Sequence, residues 1–227
     1  MAARNRSNPL ALSVLVCLLE RPMHPYEVAT TLRQRGKHES VKLNYGSLYS
    51  VVESLERRGL IEAQETQRAG RLPERTVYRL TGPGRAEVSD WLAEMLSVPV
   101  KEYPAFEAAL SFLPAVPPDE ALTLLRERAL RLEVAVAQAY AGREVVEKMG
   151  LPRLFWIETE YATRAREVEL DYVRTLVEEI ASGALEGTAW WRQAHETDGP
   201  LDAADVLDWP AGAHPGRLDA PEDQSEE

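Results

Sequence analysis

Two short extended runs, Leu60–Gln67 and Arg75–Leu80, stand next to each other in a chain whose other periodic segments read as helices. Between them lies Arg68-Ala69-Gly70-Arg71-Leu72-Pro73-Glu74, a Gly/Pro loop of hairpin type. In the second run Thr76, Tyr78 and Leu80 alternate with Arg75, Val77 and Arg79, so one face is apolar and the other largely basic. The position of this hairpin in the chain constrains the fold more than any other feature.

Three helical segments precede it. Leu10, Leu12, Val14, Leu15, Val16, Leu18 and Leu19 leave no polar face, which predicts a buried helix broken by Pro22. A second helix starts near Pro25, since proline is tolerated in a first turn, and carries Tyr26, Ala29 and Leu32/Arg33 on one face. In the third, Leu48, Val51, Val52 and Leu55 recur at helical spacing, with Gly59 as terminator. Its other face presents Ser47, Ser50, Ser54 and Arg57. After the hairpin, Thr81 is the expected cap of a fourth helix bearing Val88, Trp91, Leu92, Met95 and Leu96. Three helices, a hairpin and a further helix describe a winged helix-turn-helix, whose third helix fits a DNA major groove while the hairpin reaches sideways to the backbone or minor groove.

The charge distribution points the same way. Residues 1–85 hold fourteen Lys and Arg against eight Asp and Glu, a net of +6, whereas residues 86–227 hold twelve against twenty-nine, a net of −17. The overall −11 therefore conceals a basic first third, the expected footprint of nucleic-acid binding.

Beyond Pro99 a short helix is expected over Pro104–Leu113 and a long one from Pro117-Pro118-Asp119-Glu120 towards Met149. Its Leu122, Leu125, Ala129, Leu132, Val136 and Ala139 alternate spacings of 3 and 4, a coiled-coil-like seam. Gly150 and Pro152 interrupt the chain, and a second long helix runs from about Arg153 to Ala181. Its expected apolar stripe is Leu154, Ile157, Tyr161, Ala165, Val168, Tyr172 and Leu176. Two such helices make an antiparallel hairpin whose apolar surface calls for another layer, here a second copy of the chain. From Gly187 onward there are four Gly, four Pro, ten acids and two Arg, which predicts low order, although the Trp190-Trp191 pair is a candidate to dock on the helical hairpin. The expected division is 8–97 for the DNA-binding part, 104–186 for a helical dimerisation domain and 187–227 for an acidic tail.

Several ordered motifs resemble the PadR family of bacterial transcriptional regulators. They are Arg21-Pro22-Met23-His24-Pro25-Tyr26-Glu27, Asn44-Tyr45-Gly46-Ser47-Leu48-Tyr49, Leu55-Glu56-Arg57-Arg58-Gly59-Leu60-Ile61 and Arg75-Thr76-Val77-Tyr78-Arg79-Leu80-Thr81. Pro25 departs from the pattern, in which glycine often precedes the tyrosine, and stiffens the turn. The resemblance implies a homodimeric repressor, typically responsive to a small molecule; the cytoplasm is the expected compartment because the first apolar run ends in Glu20-Arg21-Pro22 with no small-residue cleavage site. The alternative function is a winged-helix module for protein contacts that does not bind DNA specifically.

The candidate DNA-binding residues are Tyr26, Lys42, Tyr45, Ser47, Tyr49, Ser50, Arg71 and Arg75. Lys42, Arg71 and Arg75 are expected on phosphates, with Arg71 also placed to enter the minor groove. Ser47, Tyr49 and Ser50 occupy the first turns of the third helix, where hydroxyls meet base edges or phosphates, though Tyr45 and Tyr49 have a competing reading as core residues. His24 and Tyr26 either bond phosphate or simply fix the start of the second helix. Trp91 and Trp156 are candidates for an aromatic effector pocket, aromatics being also the usual filling of helical interfaces.

Enzyme chemistry lacks its requirements. The four His (24, 38, 195 and 214) show no metal-ligand spacing. Gly82-Pro83-Gly84 follows a strand, but position 87 is Glu and Pro83 removes a donor that a dinucleotide loop needs. Glu158, Glu160, Glu167 and Glu169 alternate with arginines as a salt-bridged face. No cofactor or metal is expected. The one cysteine, Cys17, is expected to be a buried thiol, and its apolar run is too short to span a bilayer.

Overall fold

A computed structural model of the chain describes residues 8–67 and 75–196. The chain forms two compact units that divide between Glu102 and Tyr103.

The N-terminal unit is built around α1 (Pro9–Glu20). Asn8 caps it, its Oδ1 accepting from the Leu10 N–H at 3.1 Å. Leu10, Ala11, Leu12, Val14, Leu15, Cys17 and Leu18 are all buried, as the apolar run predicts. Burial also pushes the Cys17 thiol up to about 11, which leaves it unreactive at neutral pH. Helix α2 (Pro25–Gln34) begins in a capping box. The His24 ring accepts from the Tyr26 N–H at 3.1 Å, and the Glu27 carboxylate accepts from the His24 N–H at 2.8 Å. Val28, Ala29 and Leu32 face the core, while Tyr26, expected on that face, is exposed.

Helix α3 (Tyr45–Arg57) is capped by Asn44, whose side chain accepts from the Gly46 N–H at 2.9 Å. Strands β1 (Ile61–Gln67) and β2 (Arg75–Leu80) form the expected antiparallel wing, with Ile61 opposite Leu80 and a bulge between Gln64 and Gln67. Met23 and Tyr78 exchange two backbone hydrogen bonds of 3.0 Å, tying the link between α1 and α2 to β2. Helix α4 (Gly82–Ser97) starts as expected at Thr81. The Thr81 hydroxyl donates to the Gly59 carbonyl at 2.7 Å and accepts from the Gly84 N–H at 3.1 Å. Val88 and Trp91 pack into the core, but Leu92, Met95 and Leu96 at the end of the expected stripe are exposed.

The C-terminal unit consists of α5 (Ala105–Ser111), α6 (Pro118–Lys148), α7 (Ile157–Ser182) and α8 (Thr188–Glu196). Along the α6 seam Leu122, Leu125 and Ala129 are buried and Leu132, Val136 and Ala139 half-buried. The partner face of α7 differs from the expected stripe. Thr163, Leu170, Val173, Leu176 and Ile180 are buried, whereas Ile157, Tyr161, Val168 and Tyr172 are exposed. The helix presents two apolar edges, and the one with alternating aromatic and branched residues lies outside the hairpin. Gly142, in the interior of α6, costs about 1 kcal/mol relative to alanine, and a Cβ there would meet nothing within 4 Å.

The low order expected from Gly187 does not hold for its first ten residues. Gly187, at φ +88°, leads into α8, which buries Trp191 against the hairpin. The Trp191 indole N–H donates to the Val116 carbonyl at 2.8 Å. One large aromatic with a satisfied polar edge offsets the poor local propensity of the segment. Trp209 and the remaining tail lie outside the described residues. Among the described residues no helix is long and apolar enough to cross a membrane, and no group of three His, Cys, Asp or Glu could hold a metal ion.

Candidate nucleic-acid interface

The inner face of α3 is fixed by Leu48, Val51, Val52 and Leu55, all buried. At 100° per residue this turns Gly46, Ser50, Glu53 and Arg57 directly away from the core, with Ser47 on one flank and Tyr49 on the other. Every one of these outward residues is exposed. Ser50 donates to the Gly46 carbonyl at 3.3 Å, a bond readily exchanged for an external acceptor. The core readings of Tyr45 and Tyr49 fail on burial, since their exposures are 36% and 46%.

Tyr45 instead belongs to a surface cluster. Its ring stacks with that of Tyr26 at a centroid distance of 6.4 Å, and the Arg33 guanidinium lies over it at 4.5 Å. Arg33 also donates to the Tyr45 hydroxyl. This joins the exposed surface of α2 to the first turn of α3 through two phenols and a cation. The sequence puts Arg33 on one face of the second helix with Tyr26 but does not mark it as a binding residue. The available signal is its i, i+7 spacing from Tyr26, which puts both on one side of α2, but the contact with Tyr45 is made between helices. His24 serves through its ring as the α2 cap, the turn-fixing reading.

Lys42 is exposed in the extended segment leading into α3. Arg75 opens β2 opposite Gln67, and Arg71 lies outside the described residues. Trp91 is a core side chain of the N-terminal unit, 1% exposed, which removes it as an effector ligand. Trp156 belongs to the C-terminal unit and lines a groove between α6 and α7. The two tryptophans thus do not share a compact unit.

Residues 14–90 match the transcriptional regulator PadR-like family. The N-terminal unit is a PadR-like domain. By its description this is a family of transcriptional regulators. No curated protein matches the chain. Among solved structures, Bacillus subtilis PadR in complex with operator DNA is 17% identical, with a TM-score of 0.62 over 75% of this chain and 98% of that one. The same protein in complex with p-coumaric acid gives 15% identity and a TM-score of 0.57, covering 74% and 93%. The Vibrio cholerae virulence activator AphA gives 15% and 0.55, covering 76% and 98%. Likeness at this identity is one of fold: mainly helical, with a two-stranded wing on the PadR-like unit and helices after it.

Proposed function

We propose that the chain is a homodimeric, sequence-specific DNA-binding regulator of transcription, released from its operator by a small molecule. The observation that carries this reading is the outer face of α3, where hydroxyls and phenols stand exposed on a rigid helix inside the basic third of the chain. Such a face offers hydrogen bonds to base edges from Ser47 and Ser50, while Tyr26, Tyr45 and Lys42 supply backbone contacts. The phosphate contacts expected from the sequence for Arg71 and Arg75 would add to these. Glu53 stands among them, repelled by phosphate and suited to accept from a cytosine amino group. A module for protein contacts would present a neutral or apolar face here instead.

Dimerisation through the C-terminal helices is supported by the outer edge of α7. Tyr161, Val168 and Tyr172 are 77%, 71% and 53% exposed, and Leu130 and Val134 on α6 are exposed as well. Apolar surface of this extent marks a partner face, and a stable dimer covers on the order of 2,000 Å² or more. The complex of Bacillus subtilis PadR with operator DNA supports the DNA reading, and its complex with p-coumaric acid supports the effector.

The test is genome-wide capture of bound DNA, followed by salt titration on the recovered duplex and a mismatched one. Arg71→Ala should weaken both equally and flatten the log–log salt slope by about 0.9. Ser50→Ala should alter the preference between them by about 1–3 kcal/mol per base pair read. Recovery of no preferred sequence would overturn the reading.

A further inference from the structure

The C-terminal unit carries an apolar groove of about 480 Å³ along the first half of α6, walled on its other side by α5 and the turn Leu113–Ala115. Phe106, Leu110 and Leu113 line that wall, and Leu124, Leu125 and Leu132 line the α6 side. A cavity of this size holds a drug-sized molecule, or equally two or three large side chains. Leu124 is 50% exposed in it. We propose that the chain covers this groove with its own acidic segment, residues 201–209, which follows α8 and lies outside the described residues.

The path of the chain brings that segment to the groove. The Trp191 indole N–H donates to the Val116 carbonyl at 2.8 Å, and His195 Nε2 sits 2.9 Å from the Pro114 carbonyl. Leu113 and Val116, on either side of Pro114, both line the groove. The chain therefore leaves α8 at the groove's edge. From Glu196 to Leu201 it can reach up to about 17 Å when extended. The α6 side of the groove, from Ala121 to Leu132, is about 16 Å long. A segment on so short a tether is present at an effective concentration in the millimolar range, so modest affinity keeps it seated.

The chemistry of the two surfaces is complementary. The segment reads Leu201-Asp202-Ala203-Ala204-Asp205-Val206-Leu207-Asp208-Trp209, large apolar residues interleaved with three aspartates. Residues 197–227 hold nine acids and one Arg, a net of −8. Along the groove, residues 121–132 hold Arg126, Arg128 and Arg131 against Glu127, a net of +2 within an otherwise acidic half of the chain. Arg128 is fixed by Glu169 and lies over the Phe106 ring at 3.8 Å, so it belongs to the wall. Arg131 meets Glu127 one turn away at 2.5 Å, an exposed pair that contributes little and yields readily to a second carboxylate. Arg126 is exposed and forms no ion pair among the described residues. A second copy meeting this groove across a two-fold axis would instead set the same cations against one another.

The experiment is disulfide trapping in the full chain, where the native Cys17 is buried. Ala204→Cys keeps every large apolar side chain of the segment. It is combined with Leu124→Cys in the groove or with Thr123→Cys, which is exposed at the same height on α6 but does not line the groove. Each rate of cross-linking under mild oxidation is divided by the reactivity of the α6 thiol towards a small disulfide reagent. On non-reducing denaturing gels the Leu124→Cys pair should close within one chain at least tenfold faster than the Thr123→Cys pair. Adding Arg131→Glu should slow it at least fivefold. The proposal is overturned if the two positions react alike, since the segment would then be tethered but not docked. It is also overturned if the cross-link forms mainly between chains, or if Arg131→Glu leaves the rate unchanged.

Discussion

Arg33 on α2 lies over the ring of Tyr45 on α3, its guanidinium carbon 4.5 Å from the ring centroid, and donates a hydrogen bond to the Tyr45 hydroxyl. One cation thereby orients a phenol in the first turn of α3 while keeping further donors that the proposed interface would turn to phosphate. In Arg33→Gln that orientation is lost together with one charge. Operator affinity should fall about five- to twentyfold, with similar loss on matched and mismatched duplexes and a shallower salt slope. Tyr45→Phe should reproduce the loss of affinity without the change in slope. A full slope in Arg33→Gln would place the residue away from the DNA.

The start of α2 predicts a pH dependence. The Glu27 carboxyl lies below its ordinary 4.5, chiefly through the hydrogen bond from the His24 backbone and then through Arg21. A carboxyl lowered in the folded state stabilises the fold above its unfolded value and loses that contribution as pH falls through the folded value. Glu27→Gln keeps the capping geometry but does not titrate. The variant should therefore be less stable than wild type at pH 7, with the difference shrinking below about pH 4.5. Denaturant melts at pH 7, 4.5 and 3.5 measure this, and a constant difference would rule it out.

Gly84 predicts a large effect from one methyl group. A Cβ at this position would lie 2.0 Å from the Leu60 carbonyl oxygen and 2.8 Å from Leu80 Cδ1. The first contact is with backbone, which cannot rotate away, so α4 would have to move off the β1 start. Gly84→Ala should cost about 3 kcal/mol or more, against a gain of under 1 kcal/mol from helix propensity. Gly82→Ala, where a Cβ meets nothing, is the matched control. Equal melting of the two variants would contradict the packing described.

How far the fold is legible in the sequence depends on whether the signal is local. The wing follows from its Gly/Pro loop, and Asn44 and Thr81 mark helix starts because their caps span two or three residues. The exposed face of α3 follows from the spacing of Leu48, Val51, Val52 and Leu55. The inner face of α7 does not, because Tyr161, Val168 and Tyr172 have the period of a packed stripe whether they meet α6 or another molecule. Arg33 is missed because its partner lies on a different helix. Helix α8 is hidden by the composition of the segment that follows it, and the paired tryptophans are its one local mark.

The α7 edge predicts a separable dimer. Val168→Asp puts a charge in the middle of a stripe that is exposed in the single chain and so leaves the hairpin core intact. Sedimentation should show wild type as a dimer at micromolar concentration and the variant as a folded monomer. Operator affinity should fall steeply, since each protomer contributes one half-site. A variant that stays fully dimeric would move the interface elsewhere.

Trp191 predicts that α8 is a structural part of the C-terminal unit. Its ring is 4% exposed and belongs to the core cluster that also holds Ile180 and Leu122, and its N–H donates to the Val116 carbonyl. Nearby, His195 Nε2 sits 2.9 Å from the Pro114 carbonyl, so the helix is fastened along its length. Trp191→Ala removes the ring and leaves a cavity, a change that costs about 3–5 kcal/mol in a packed core. Trp191→Phe keeps most of the volume but orphans the Val116 carbonyl, costing about 1–3 kcal/mol. Hydrogen exchange over residues 188–196 should therefore be slow in wild type, intermediate in Trp191→Phe and fast in Trp191→Ala, with melting temperatures in the same order. Exchange at the unprotected rate in wild type would show that α8 does not stay docked, and that Trp191 does not hold it.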